Sequence, residues 1–135
     1  MELDVAQRAI AGAKVKADEL GIPMCIAVVD DHAYLKVFVR IGDTTLDSIQ
    51  LAIDKAYTAA LIRMDTLELG KLSQPGKELY GIQNNLGGRL VIFPGGIPIW
   101  SEGKLIGAVG ASGGVVDQDH ACALAGVLAV GKPNP

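Results

Sequence analysis

The sequence holds two histidines, and each stands among acids: His32 follows Asp30 and Asp31, and His120 lies close to Asp117 and Asp119. Imidazole beside carboxylate is the raw material of a divalent-metal site or of proton transfer. Neither cluster has the i, i+4 histidine pair of a helical metal site, so no resident metal is expected. The acids read as solvated residues of a turn and of a helix start, where negative charge meets the positive end of the helix dipole. Haem demands less, because one axial imidazole in an apolar pocket suffices. Both His32 and His120 are candidates for that role.

Gly110-Ala111-Ser112-Gly113-Gly114 fits G-x-S-x-G, the turn that exposes a hydrolase nucleophile between strand and helix. A triad needs a histidine that reaches Ser112, and the one downstream, His120, lies on the helix this turn would itself open. The small residues are better read as letting that helix begin close to a sheet. Its first N–H groups are an alternative seat for a carboxylate or phosphate. Phe93-Pro94-Gly95-Gly96-Ile97-Pro98 has the composition of a rigid loop that brings backbone donors near a ligand, or of a tight structural connection. Trp100 and Tyr57 are expected in the core or at an interface.

The elements that must position these residues follow from periodicity. Leu3, Ala6, Ile10, Ala13, Ala17 and Leu20 mark an amphipathic first helix stopped by Gly21 and Pro23. Residues 24–29 and 34–40 read as a hairpin around Asp30-Asp31-His32. Thr44 or Thr45 is expected to cap a helix with the core stripe Leu46, Ile49, Ile53, Ala56 and Ala60, and Asp65 or Thr66 to start a shorter one ending near Gly70. Residues 73–88 are broken by Pro75, Gly76, Asn84, Asn85, Gly87 and Gly88, with a short helix expected over 77–83. That stretch is the longest loop. Strands are expected at 89–93, 97–100 and 105–111, then a final helix carrying Val116, Ala123, Leu124, Val127 and Leu128. Strands grouped in hairpins, five in all, favour an antiparallel α+β sheet over a parallel one.

A length of 135 residues, half of them apolar, suits one domain spanning 1–135 with a real core. Net charge is −3, which offers no general attraction to nucleic acid or to anionic membranes. The weakly polar run 121–131 falls short of the roughly 20 residues a membrane span needs. Cys25 and Cys122 each sit in an apolar segment and read as buried thiols in a reducing compartment. No export signal opens the sequence, so a cytoplasmic protein is expected. With 20% charged residues and a mean hydropathy of +0.33, apolar surface is left to pack against other copies, and a homo-oligomer is expected.

Four segments in order resemble the GlcG/HbpS-like family, whose domain also forms the C-terminus of PduO-type proteins. They are Ile26-Ala27-Val28-Val29-Asp30-Asp31 with Leu35 and Arg40; Ala52, Lys55-Ala56 and Thr58-Ala59-Ala60; the 93–98 loop; and Gly103, 106–110, Ser112-Gly113, Gln118-Asp119 and Ala125-Gly126. The resemblance covers nearly the whole chain. It implies a profilin-like fold, a five-stranded antiparallel sheet packed with helices, in an oligomer. It also implies links to haem, to corrinoid-related operons and to glycolate or diol metabolism. The chain departs from the family's usual glycine-rich hairpin with Asp31-His32-Ala33-Tyr34, and from its R-M-D element with Arg40-Ile41-Gly42-Asp43.

Arg40 and Lys55 are the cations that match family motifs, and together they would fix a small carboxylate by charge-assisted bonds. The expected ligand site is therefore Arg40, Lys55, Phe93, Gly95, Gly96 and Pro98. The expected function is an oligomeric binder of a small carboxylate or a tetrapyrrole, with haem or a corrinoid as the cofactor-like ligand, beside a catabolic or cofactor pathway. An enzyme moving a proton of a bound carboxylate through Asp30 or Glu102 is the competing class, and a purely structural subunit is a third.

Overall fold

The computed structural model describes residues 1–135. The elements are helix α1 (Leu3–Leu20), strands β1 (Met24–Asp30) and β2 (Leu35–Ile41), helices α2 (Asp47–Ile62) and α3 (Thr66–Leu72), strands β3 (Gly96–Ser101) and β4 (Lys104–Ser112), and helix α4 (Val116–Leu128). The sheet order is β2-β1-β4-β3, and every neighbouring pair is antiparallel. None of the helices is long and apolar enough to cross a membrane.

Both faces of the sheet are covered, which is why β1 is an unbroken apolar run. Met24, Ile26 and Val28 point to one side, into the core shared with α1 and α4. Cys25, Ala27 and Val29 point to the other, against Ala52, Ala56 and Ala59 of α2, as the two-residue period of a strand requires. The helices approach closely because small residues stand at the contacts. A side chain at Gly110 of β4 would run into the Ala52 carbonyl, and one at Gly12 of α1 would lie 2.8 Å from the Ala125 carbonyl of α4. Of the expected α2 stripe, Ala56 and Ala60 are buried, and Ile49 and Ile53 pack half-buried against the cluster around Cys25, Ala27 and Val29. The buried residues of α2 are Ser48, Ala52, Lys55, Ala56, Thr58, Ala59 and Ala60, and Leu46, expected in the stripe, is exposed.

The expected fifth strand, residues 89–93, does not form, and the sheet has four strands. This segment lies along α2. Thr58 Oγ1 accepts the Val91 N–H at 3.0 Å, while its hydroxyl donates to the Asp54 carbonyl of its own helix at 2.7 Å, with the Arg89 carbonyl farther off at 3.3 Å. Arg89 also stacks on Tyr57, 3.6 Å from the ring centre, and bonds Asp54 at 2.9 Å. A helix side chain thus takes the Val91 N–H that a strand ladder would have taken. The free edge of β3 is met by the chain's last turn, where Trp100 and Lys132 exchange both backbone bonds, at 2.8 and 2.9 Å. No helix forms over 77–83; short 3-10 turns at Ile82–Asn84 and Leu86–Gly88 take its place. The β3–β4 turn, Glu102-Gly103, has both φ angles positive (52° and 76°), which matches strand twist in a two-residue hairpin.

Candidate functional site

Lys55 is drawn into the interior by the face of α2 it occupies. Its Nζ donates to the Ala111 carbonyl at the end of β4 (3.0 Å) and to Asp119 Oδ2 on α4 (2.9 Å), with the Phe93 ring centre 5.2 Å away. Its side chain is 1% exposed and that of Asp119 4%. Desolvation holds the Lys55 amine below its usual range, opposed by the neighbouring carboxylate. The 93–98 loop is built over this pair. Gly95 has φ 128° and a side chain there would meet the Ala111 carbonyl at 2.7 Å and Lys55 Nζ at 2.8 Å; Gly96 leaves no room against the Lys55 backbone. The Gly96 N–H is taken by Thr66 Oγ1 at 2.9 Å and the Gly95 carbonyl by the Ala111 N–H at 2.8 Å. Lys55, Phe93, Gly95 and Gly96 therefore do come together, with the lysine's charge and the glycines' hydrogen-bonding groups spent inside the fold.

Arg40 is not brought to this group. It lies on β2, with β1 and β4 between it and β3, and its guanidinium is held by Thr44 Oγ1 and the Thr44 carbonyl at 3.0 and 2.6 Å. A joint grip of Arg40 and Lys55 on one small carboxylate is not what this geometry offers. Ser112 is buried. Just before α4 the Gly114 N–H is taken by Asp119 Oδ1 at 2.9 Å and the Val115 N–H by Gln118 Oε1 at 3.0 Å.

Next to the Lys55–Asp119 pair the surface opens into a cleft of about 460 Å³, lined by Arg63, Met64, Asp65, Glu68, Pro98, Trp100, His120, Leu124 and the three C-terminal residues. Pro98 is the one member of the expected site that lines it. Asp65 is positioned as the N-cap of α3, accepting the Leu67 N–H at 2.8 Å. His120 follows Asp119 on α4 and turns Nδ1 toward Asp65 Oδ2 at 3.8 Å. That Nδ1 is buried and has no hydrogen-bond partner, while the ring as a whole is 27% exposed. Nε2 is thus the nitrogen available to the cleft. Burial pushes the Asp65 carboxyl above the usual carboxylate range, against the Leu67 amide and His120, which lower it. His32 is placed otherwise: its side chain is 76% exposed on the β1–β2 turn, 3.3 Å from Asp31.

The family model for the haem-degrading protein HbpS-like matches residues 1–128. The chain belongs to the HbpS-like family. The whole-chain resemblance that the GlcG/HbpS motifs carried is the correct one. An uncharacterized 15.0 kDa protein of the dhaT-dhaS intergenic region of Citrobacter freundii is 40% identical over 118 residues, 87% of this chain and 83% of that protein. The corrinoid adenosyltransferase PduO of Salmonella typhimurium is 40% identical over 115 residues; these are 85% of this chain but 34% of that enzyme, so this HbpS-like chain spans about a third of PduO. A crystal structure of a PduOC–haem complex superposes with a TM-score of 0.95 at 34% identity, covering 100% of this chain and 99% of that one.

Arg63, Met64 and Glu68 line the cleft without a sequence signal that marks them. Asp65 is legible in the sequence only as a helix start. Asp65 meets His120, far along the chain, only through the fold.

Proposed function

We propose that this HbpS-like chain is an oligomeric tetrapyrrole-binding protein whose ligand, haem in the first instance, enters the His120 cleft. The observation that carries it is the orphaned, buried Nδ1 of His120 facing the Asp65 carboxylate. A metal-ligating imidazole typically directs its second nitrogen to a carboxylate, which fixes the tautomer and raises the basicity of the other nitrogen. His120 and Asp65 have that relationship, at a distance that a small closure would bring to hydrogen-bond length. Met64, Pro98, Trp100 and Leu124 supply the apolar wall a flat macrocycle needs. The whole-length likeness to a chain solved with haem supports the same ligand class. Bound haem would supply redox chemistry at its iron, tuned by the axial ligand and its hydrogen bonds; the chain's own residues bind, orient and shield. The groove between α1 and α4, with Val15, Leu124 and Leu128 on its walls and Val15 and Leu128 well exposed, supports the oligomer.

The test is titration of the full-length apoprotein with haem, followed by the Soret band. His120→Ala should weaken binding at least tenfold and change the band, while His32→Ala leaves both as they are. Unchanged binding in His120→Ala, or its loss in His32→Ala, places the ligand elsewhere.

A further inference from the structure

Arg63 ends α2 in the left-handed conformation, φ 58° and ψ 39°. This backbone disfavours any residue with a Cβ, and glycine fills it freely at helix C-termini. Four non-glycine residues of the chain have positive φ, Ala33, Arg63, Leu86 and Glu102, and Arg63 is the one among them that lines the His120 cleft. Its side chain takes part in none of the ion pairs of the structure, whereas the other charges of the cleft are engaged: Asp65 faces His120 at 3.8 Å and Glu68 bonds Lys71 at 3.1 Å. Residues held in unfavourable backbone regions cluster where a side chain is needed for function. The cleft's charge sharpens the point. Without Arg63 its fixed charges are the carboxylates of Asp65 and Glu68, and a ligand bearing acidic side chains would be repelled.

We propose that Arg63 is the residue that recognises the carboxylates of the ligand, and that this cleft selects tetrapyrroles with free acidic side chains over neutral ones. The inference rests on the tetrapyrrole reading above and assigns the anion-binding element within it. A guanidinium suits this task because its planar fork bonds both oxygens of a carboxylate at once.

The experiment compares haem with haem dimethyl ester, in which the same macrocycle lacks its negative charges, on wild type and Arg63→Gly. Glycine relieves the left-handed backbone, so the apoprotein variant should melt a few degrees higher. Haem should bind the variant roughly three- to tenfold more weakly, with less salt dependence than wild type. The ester should bind both proteins alike. A protein that melts higher yet binds less tightly cannot be explained by damaged folding. Equal haem affinities for wild type and variant, or equal losses for haem and ester, overturn the role of Arg63 while leaving the tetrapyrrole reading standing. If wild type takes up no haem, that reading falls and this inference with it.

Discussion

The Lys55 ammonium and the Asp119 carboxylate lie 2.9 Å apart, 64 residues distant in sequence, where α2, the end of β4 and the start of α4 converge. Asp119 spends its second oxygen on the Gly114 N–H, so one carboxylate both pairs the lysine and holds the turn just before the helix that carries His120. Breaking such a buried pair leaves an uncompensated charge, whereas replacing both partners by apolar groups can be nearly neutral. Lys55→Met should therefore cost about 3–5 kcal/mol. Lys55→Met with Asp119→Leu should cost less than Lys55→Met alone, although the bond to Gly114 is lost. Denaturant unfolding of the set decides it, and additive losses would mean that the two groups are not coupled.

Gly110 and Gly76 should respond differently to alanine. At Gly110 a methyl group runs into the backbone of α2 at Ala52 and Ala56, whereas at Gly76 nothing lies within 4 Å. Gly110→Ala must push helix from sheet and should cost about 1–3 kcal/mol. Gly76→Ala carries only the penalty of its positive φ, about 1 kcal/mol. Thermal melts of the two variants check the order.

Local patterns made much of this fold legible. The three- and four-residue steps of α1 end at Gly21, and Glu102-Gly103 marks the β3–β4 turn. The 93–98 loop reads from sequence equally as a ligand loop or a tight connection, and the structure packs Gly95 and Gly96 against Lys55 where a side chain has no room. Residues 89–93 misled because β-branched residues and burial are common to strands and to segments packed on a helix; Leu90 and Val91 are buried, but Thr58 takes the Val91 N–H there. The destination of Lys55 was hidden because its partner is remote. A left-handed arginine leaves no trace in sequence at all.

Ser112 should be inert to fluorophosphonate probes. Its side chain is buried, and His120, the one imidazole downstream, turns its Nδ1 toward Asp65, so no base is placed to activate the hydroxyl. Labelling that disappears in Ser112→Ala would contradict this.

The exposed apolar wall of the α1–α4 groove sets a prediction about assembly. Val15 and Leu128 are each 59% exposed beside Leu124 and Ala125, and contiguous apolar surface of this kind is usually covered by a partner. Sedimentation of the wild-type protein should give a species larger than one chain. Leu128→Lys should shift it toward the monomer without lowering its helix content. A wild type that sediments as a monomer would remove the assembly from the proposed function.

Asp65 ties stability to pH in a direction opposite to that of most carboxylates. Its pKa is raised in the folded protein, by burial above all, so the folded state holds the proton more tightly than the unfolded state, where the value is near 3.8. The stabilisation from this group is complete below the unfolded value and is lost as pH rises through the folded one. At neutral pH the buried charge is a cost. Asp65→Asn keeps an oxygen to cap Leu67 and removes that charge, so the variant should be more stable than wild type at pH 7, by less than about 1 kcal/mol, and the difference should shrink as pH falls toward 4. The same change deprives His120 of its carboxylate. Haem affinity at pH 7 should then fall roughly ten- to a hundredfold, the usual effect of losing a partner behind a metal-ligating imidazole. Urea titrations across that pH range, with Soret titrations at pH 7, read both effects. A stability difference that grows in the variant's favour on acidification would show that the charge of Asp65 is not a cost in the folded state.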